Sequence, residues 1–266
     1  MDKNKSTYKL KGFGPLYVIN LDGQPERWQW MQEQLDYWEI KDYTRISAYD
    51  GRPEVGDDLS DIIQGRYPDS MSPGEIGCVT SHLKAIKHFY EETDDPYAII
   101  MEDDCDISTA RYWTFTWRQF ISRIPYDWDV CQVAIICPGE LHVNIHRRFV
   151  NDFSTACYAI TRHHAKKVLE HHVRGDKYKL DNGVKPRPVA DDLIYNSGVS
   201  YAAPIFLYKI ELGSSIHPDH IEIFHRGSHD GLRNLWETRG SDLTIDKITE
   251  YDPYLGRVAG RDKTPA

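Results

Sequence analysis

Cysteine is scarce in this chain, and its few copies are scattered. Five cysteines stand among 266 residues, at positions 78, 105, 131, 137 and 157, and no two of them form a Cys-x-x-Cys pair. An odd, dispersed set argues against a disulfide framework and against a structural zinc site. The pattern predicts reduced, mostly buried thiols in a cytoplasmic protein.

Long apolar runs are also missing. No stretch approaches the ~20 apolar residues that a membrane-spanning helix needs, and the run Val133–Ile136 is typical of the chain. The first eight residues are polar and lack the apolar core of a signal peptide. We therefore expect no transmembrane segment, a cytoplasmic location and at most a peripheral contact with a membrane.

Basic residues are outnumbered. Lys and Arg together number 32 against 41 Asp and Glu, which gives a net charge of −9. This balance argues against a nucleic-acid partner, which would favour a basic patch, but a nucleotide ligand needs only a local cation. Hydrophobic residues make up 40% of the chain, enough for a core, and seven Trp and seventeen Tyr suit packing and stacking on sugars or bases.

The order of elements predicts an α/β fold. An apolar strand at Leu16–Leu21 precedes a helix that begins at Pro25 and carries an apolar stripe to Trp38, and a second strand follows at Tyr43–Ala48. Such a strand–helix–strand unit predicts parallel pairing. The chain shows no repeat and no linker, so we expect a polar N-terminal segment (1–14), one α/β domain (15–216) and a C-terminal extension (217–266) with a flexible end.

An acidic run ends the next predicted strand. Tyr97–Met101 is apolar, and Glu102, Asp103, Asp104 and Asp106 follow it. In open α/β sheets, ligands bind where strands end. Ionised carboxylates about 4 Å apart repel by roughly 4 kcal/mol at an effective dielectric near 20, and Mg²⁺ or Mn²⁺ would offset that repulsion. If the chain stays extended, Glu102, Asp104 and Asp106 face one side. A solvated acidic turn is the alternative.

A capping box begins a further helix. Ser72 and Glu75 have the spacing for reciprocal capping, with Pro73 at the first helical position. On this helix Glu75 and His82 align at one edge of an apolar stripe. They are either capping and packing residues or, with Ser81, the border of a ligand site. The turn-rich segment 52–71 before the helix predicts a mobile loop over the site.

Several segments together resemble glycosyltransferase family 25, which includes lipooligosaccharide galactosyltransferases and collagen hydroxylysine galactosyltransferases. The resemblance covers residues 15–216. Its pieces stand in family order: Tyr17-Val-Ile-Asn-Leu21 with Arg27, Ala48-Tyr-Asp-Gly51, Met71-Ser-Pro-Gly-Glu-Ile-Gly77, Ser81-His82, Met101-Glu-Asp-Asp104, Tyr158-Ala-Ile-Thr-Arg162, Ala165-Lys-Lys167 and Pro188-Val-Ala-Asp-Asp-Leu193. The sequence departs from the family pattern at Asp22-Gly-Gln-Pro25 and at Ala190.

This resemblance implies a Rossmann-like, GT-A type nucleotide-sugar fold with a mostly parallel sheet. It implies a UDP-hexose donor, UDP-galactose or UDP-glucose, a divalent metal (Mn²⁺ or Mg²⁺) and inversion at the anomeric carbon. The acceptor hydroxyl lies on a glycan, a lipid-linked oligosaccharide or a protein hydroxylysine. On the matching positions, the residues that contact the donor are expected to be Asn20, Leu21, Arg27, Asp50, Glu75, Ser81, His82 and Asp103.

The mechanism follows as a hypothesis. Glu102 and Asp104 hold the metal, and either His225 or His217 completes its shell. Asp103 supports the loop or reaches the ribose. Arg27 meets a phosphate or the uracil edge, or is an exposed helix arginine. Asp50 contacts the nucleoside, or only forms a turn before Gly51.

Asp191 and Asp192 are the candidates for the base that takes the acceptor proton, with Asp192 preferred. An N-cap pair for a helix near Leu193 is the alternative. As a whole, a catalytically silent nucleotide-sugar-binding module is the second hypothesis. A metal-dependent phosphohydrolase is a third hypothesis, but this sequence lacks the nucleophile-loop signature that such an enzyme would have beside the acidic strand end.

Overall fold

A large central sheet and a small hairpin form in the computed structural model, which describes residues 6–52, 58–65, 69–137, 141–180, 183–184, 186–213, 216 and 225–250. Over these residues the sheet has eight strands, in the order β2-β1-β3-β7-β5-β10-β4, with β6 also paired to β10. Its strands are β1 (Leu16–Asn20), β2 (Tyr43–Ser47), β3 (Tyr97–Glu102), β4 (Cys105–Asp106), β5 (Val130–Ala134), β6 (His146–Arg147), β7 (Cys157–Thr161) and β10 (Ser200–Tyr208). A separate hairpin pairs β8 (Val173–Arg174) with β9 (Lys177–Tyr178).

The helices lie between and around these strands. They are α1 (Pro25–Tyr37), α2 (Pro73–Glu92), α3 (Trp117–Ile121), α4 (Arg162–His172), α5 (Ala190–Tyr195), α6 (Arg226–Arg239) and α7 (Ile245–Ile248). Among the described residues, none of these helices combines the length and the apolar character needed to cross a bilayer.

The predicted strand–helix–strand unit is confirmed. All five residues of β1 are buried, and Pro25 opens α1, where a missing amide costs nothing. β1 pairs in parallel with β2 on one side and with β3 on the other. β5 and β10 also pair in parallel, and β7 runs antiparallel between β3 and β5. The sheet is thus mostly parallel and α/β, as predicted, and the finer GT-A assignment stays a prediction.

Helices cover both faces of the sheet. On one face, α2 packs against α4 and α5, and its buried side chains include Ile76, Val79 and Leu83. On the other face, α1, α3 and α6 contribute buried side chains, among them Trp117 and Trp236. The described part of the C-terminal extension therefore shares the core of the sheet, and the domain boundaries at 14 and 216 stay predictions.

The acidic run departs from the extended path considered above. β3 ends at Glu102, Asp103 and Asp104 form a turn, and β4 then pairs antiparallel with β10. The turn sends Asp106 away from the site, where its carboxylate accepts from the Ser108 amide at 2.8 Å and caps a 3-10 helix. The acidic group at this sheet edge is therefore Glu102, Asp103 and Asp104.

Two further segments contain short 3-10 helices. After β4 the chain forms the 3-10 helix Ile107–Tyr112 and then the short helix α3. Within the segment 52–71, residues 53–57 and 66–68 lie outside the described residues. The described part holds a 3-10 turn at Leu59–Asp61, and its mobility stays a prediction.

Candidate active site

Two cavities meet where β3 ends. The first, here the polar cavity, is small, about 80 Å³, and lies at the ends of β1 and β2 beside α2. The second, here the main cleft, is about 650 Å³. Three residues line both: Cys78, Glu102 and Ile216. A ligand that spans the two cavities therefore passes over Glu102.

The predicted site residues divide between these cavities. Those that line the polar cavity are Asn20, Leu21, Arg27, Asp50, Ser81, His82 and Asp103. Those that line the main cleft are Glu75, Asp104, Asp191, Asp192 and His225. The fold thus gathers into one region residues that are up to 205 positions apart in the sequence, from 20 to 225.

Arg27 organises the acidic turn. It is buried, and its Nε and Nη2 donate to Asp103 Oδ1 at 2.8 and 2.5 Å. Its Nη2 also lies 3.0 Å from Asp104 Oδ2. Asn20 Nδ2 donates to the other Asp103 oxygen at 2.7 Å. The expectation of an exposed helix arginine is wrong, because two carboxylates hold this guanidinium inside the fold, and Asp103 takes the loop-supporting role.

The turn after β2 is held against the first turns of α2. Ser81 Oγ accepts from the Tyr49 amide at 2.8 Å and donates to the Gly77 carbonyl at 2.6 Å. A methyl group on Gly77 would lie 2.6 Å from the Tyr49 oxygen, so only glycine allows this approach. Asp50 then accepts from the Arg52 side chain and amide. The hydrogen bond from the Arg52 side chain is the main reason that the pKa of Asp50 lies below its usual value.

The capping box at the start of α2 is confirmed. Ser72 Oγ accepts from the Glu75 amide, and the Glu75 carboxylate accepts from the Ser72 amide at 2.7 Å. Arg187 also donates to both Glu75 oxygens, at 2.8 and 2.9 Å. Burial would raise the pKa of Glu75, but Ser72 and Arg187 outweigh it and the pKa is lowered. Glu75 therefore acts as a cap and also forms part of the wall of the main cleft.

Glu102 is the carboxylate at the junction of the cavities. Its Oε1 accepts from Thr155 Oγ1 at 2.7 Å and lies 3.2 Å from His82 Nε2. Burial alone would raise the pKa of Glu102, but His82, Thr155 and the charge of Arg27 lower it below its usual value. His82 is buried, and its Nδ1 lies 3.1 Å from the Tyr158 hydroxyl. These contacts favour the ionised form of Glu102, and both of them involve its Oε1.

Asp104 differs from its neighbours. One oxygen, Oδ2, faces Arg27, but the buried Oδ1 has no hydrogen-bond partner among the described residues. Burial raises the pKa of Asp104 to about 7. The charge of Arg27 opposes this rise, and the negative charges of Glu102 and Asp103 add to it. A buried carboxylate oxygen without a donor is costly. A hard divalent cation accepts oxygen ligands of this kind, so Glu102 and Asp104 fit the metal that the family resemblance implies.

The two candidate bases have different surroundings. Asp192 is buried, and its oxygens accept from the Arg187 amide at 3.0 Å and from Asn196 Nδ2 at 3.1 Å. Asp191 Oδ1 accepts from the Ser154 amide at 2.7 Å and lies 3.7 Å from Arg148 Nη2. Burial raises the pKa of Asp191 to about 6, although Arg148 opposes it.

Helix α5 begins at Ala190, so neither aspartate is its N-cap residue. The alternative of an N-cap pair is therefore wrong, because both side chains lie in the first helical turn. Both oxygens of Asp192 accept hydrogen bonds from the surrounding segment, one from the Arg187 amide and one from Asn196. The surroundings favour Asp191 as the base, while the sequence preference for Asp192 stays an untested prediction.

Histidine ligands are less well defined. His225 lines the main cleft, and its carbonyl accepts from the Tyr208 hydroxyl at 2.6 Å. His217 lies outside the described residues. The role of His225 as a metal ligand stays a prediction.

Some functional candidates escaped the sequence. Thr155 donates to Glu102, and the Tyr158 hydroxyl lies beside His82. Thr155 lies outside every motif named above, and Tyr158 belongs to the Tyr158–Arg162 segment but was not assigned to the site. The Arg148 side chain is buried, and its guanidinium lies 4.5 Å from the centroid of the Tyr195 ring. Gln132 accepts from Arg148 and donates to the carbonyls of residues 152–154, which positions this loop. A polar residue inside the apolar strand Val130–Ala134 was the one available signal.

One comparison with known proteins gives a match to a family model. The family model described as Glycosyltransferase family 25 (LPS biosynthesis protein) matches residues 13–119. This span contains the first strand, the capping box and the acidic turn, and the match confirms the resemblance drawn from those motifs. A search of curated proteins gave no match.

Proposed function

From the family 25 match, which implies a glycosyltransferase, we propose that this chain is a metal-dependent inverting hexosyltransferase. Its donor is a UDP-sugar, UDP-galactose ahead of UDP-glucose, and its acceptor is a hydroxyl group on a glycan, a lipooligosaccharide or a hydroxylysine-type side chain. The observation that carries the proposal is the buried Asp104 oxygen without a donor, beside Glu102, at the junction of two cavities.

The polar cavity suits the nucleotide part of the donor. It lies where β1 and β2 end, and Asn20, Asp50 and Tyr49 are among the residues that line it. Asp50 and Asn20 are held by Arg52 and Arg45, so their positions are set before a ligand arrives. Arg27 holds the acidic turn in place, and its role toward a phosphate stays a prediction.

Glu102 and Asp104 are the residues that would hold Mn²⁺ or Mg²⁺. When bound, such a cation acts as a Lewis acid on the negative charge of the departing diphosphate. Arg27 contributes to the same end, because it neutralises Asp103 and one oxygen of Asp104 and leaves Oδ1 of Asp104 to face a cation. The His82 ring and the Thr155 hydroxyl both contact Oε1 of Glu102 and so position this carboxylate.

Asp191 is the residue to which we assign the acceptor proton. The contacts described for it, from the Ser154 amide and Arg148, both involve Oδ1. The acceptor hydroxyl then donates its proton to Oδ2 as its oxygen attacks the anomeric carbon, opposite the departing diphosphate. A pKa of about 6 keeps this group ionised at neutral pH and basic enough for general-base work.

A donor-turnover assay tests the proposal. The wild-type chain with UDP-galactose, Mn²⁺ and a panel of glycan acceptors should release UDP, and the isosteric variants Asp104→Asn and Asp191→Asn should reduce this release by 10²-fold or more, on the scale of a lost catalytic group. Wild-type rates in both variants would overturn the assignments. UDP binding without any turnover or donor hydrolysis would favour the silent binding module.

A further inference from the structure

Cys78 and His82 stand four residues apart on one face of α2. Both side chains point toward the end of β3, and Glu102 is their third neighbour. The sulfur of Cys78, a ring nitrogen of His82 and a carboxylate oxygen of Glu102 all lie within 4.8 Å of one another. None of the cysteines has a Cys-x-x-Cys partner, yet the fold gives this one a histidine and a carboxylate.

We propose that these three side chains form a second metal site, one that takes zinc. Sulfur, imidazole and carboxylate form the donor set that Zn²⁺ uses, whereas Mg²⁺ and Mn²⁺ favour oxygen. Three protein ligands with one open position are the pattern of zinc sites that keep an exchangeable ligand. Cys78 and Glu102 line both cavities, which gives the ion an entry path and leaves room for a water.

The surrounding residues already have the arrangement that such a site needs. A metal-binding histidine almost always has its second nitrogen held by a hydrogen bond, and His82 Nδ1 lies 3.1 Å from the Tyr158 hydroxyl. The carboxylate is held likewise, by Thr155 Oγ1 at 2.7 Å. Two of the three ligands come from one helix and the third from the end of a strand, so the backbone is rigid.

The geometry requires a small adjustment. Two ligand atoms on a tetrahedral zinc ion are roughly 3.3–3.8 Å apart, given bond lengths near 2.0–2.3 Å. The Glu102 side chain is about a quarter exposed and can turn toward the sulfur. Zinc replaces the thiol proton of Cys78, which leaves to solvent. It also replaces any proton on His82 Nε2, and Nδ1–H then donates to the Tyr158 oxygen.

The two metals would compete for one carboxylate. Glu102 is needed with Asp104 for the productive cation and with Cys78 and His82 for zinc. Zinc should therefore inhibit the transferase by removing Glu102 from the productive site. This consequence rests on the proposed function, whereas the existence of the zinc site does not.

Cobalt titration tests the site without donor or acceptor. Co²⁺ bound by a thiolate gives an intense charge-transfer absorption in the near ultraviolet, and this band should appear in the wild-type chain and disappear when Zn²⁺ is added. Cys78→Ser should lose the band, and His82→Gln should weaken Co²⁺ binding at least tenfold. Cys137→Ser is the matched control, since Cys137 is also half-buried, and it should keep the band.

The outcomes are separable. Far-ultraviolet circular dichroism shows whether each variant is folded, and Cys78→Ala replaces Cys78→Ser if the latter is not. A wild-type chain without the band, or a folded Cys78 variant that keeps it, overturns the zinc site. A band without zinc inhibition of UDP release, measured against each variant's own uninhibited rate, overturns the competition for Glu102 alone. A band in a chain without transferase activity leaves the site standing and contradicts the proposed function.

Discussion

Arg27 and Asp103 form a buried two-point pair, with Nε at 2.8 Å and Nη2 at 2.5 Å from the same carboxylate oxygen. The pair joins the first turn of α1 to the turn that follows β3, across 76 positions of sequence. Since Asp104 shares the same guanidinium, one arginine holds two of the three acidic side chains at the candidate metal site.

Removing this arginine should therefore destabilise the fold. Arg27→Met leaves the buried Asp103 and the half-buried Asp104 without their cation, and breaking a buried pair costs about 3–5 kcal/mol of unfolding free energy. Denaturant unfolding measures it. The double variant Arg27→Met/Asp103→Asn should lose less than the sum of the two single variants, because the charge left unpaired is smaller. Strict additivity would contradict the pairing.

Two glycines of α2 give a matched pair of variants that tests how closely this helix approaches the turn after β2 at the polar cavity. A methyl on Gly77 would lie 2.6 Å from the Tyr49 oxygen and 2.9 Å from the Gly51 nitrogen, whereas one on Gly74 would meet nothing closer than 3.8 Å. Gly77→Ala should displace the Tyr49–Gly51 turn, cost about 1–3 kcal/mol as overpacking does, and weaken UDP binding. Gly74→Ala should be tolerated. Calorimetric titration and thermal unfolding check both, and equal behaviour of the two variants would refute the close approach.

The rate of transfer should depend on pH through Asp191. Its pKa is raised to about 6, chiefly by burial, so the fraction able to accept a proton grows as pH rises through that value. On its acidic side, the pH profile of kcat should rise between pH 5 and 7 and then reach a plateau. In Asp191→Asn the residual rate should no longer rise with pH over this range. An unchanged profile in the variant would assign the base elsewhere, with Asp192 the next residue to replace.

Stability should depend on pH in the opposite direction. A carboxyl whose folded pKa of about 6 exceeds its ordinary value of 3.8 favours the folded state at low pH, and this contribution is lost as pH rises through 6. Asp191→Asn should therefore gain stability relative to the wild type between pH 4 and pH 8, by an amount on the order of 2 kcal/mol. Thermal unfolding at several pH values measures the difference. A gap that shrinks over this range would contradict the burial of Asp191.

Local patterns predicted the framework well. The β1–α1–β2 unit, the Ser72–Glu75 capping box and the strand that ends at Glu102 each depend on neighbours within a few residues, and the sequence shows these neighbours directly. The turn at residues 103–104 was less accessible, because β4 leaves the line of β3 only to pair with β10, a hundred residues later.

The electrostatic details depended on tertiary contacts. Nothing near Asp191 in sequence indicates that Ser154 and Arg148 will contact it, and nothing near Asp192 indicates that it will accept from the Arg187 amide. These contacts distinguish two adjacent aspartates that look equivalent in the sequence. The same holds for Cys78, whose two neighbours in the proposed zinc site arise from helical spacing and from a strand end 24 positions away.

Calorimetric titration of UDP with and without Mn²⁺ tests the central claim most directly, because it measures the cation's contribution to diphosphate binding apart from turnover. The wild-type chain should bind UDP at least tenfold more tightly with Mn²⁺, and Asp104→Asn should lose that difference while its thermal unfolding remains cooperative. The same gain from Mn²⁺ in wild type and variant, or none in either, would contradict a cation held by Glu102 and Asp104.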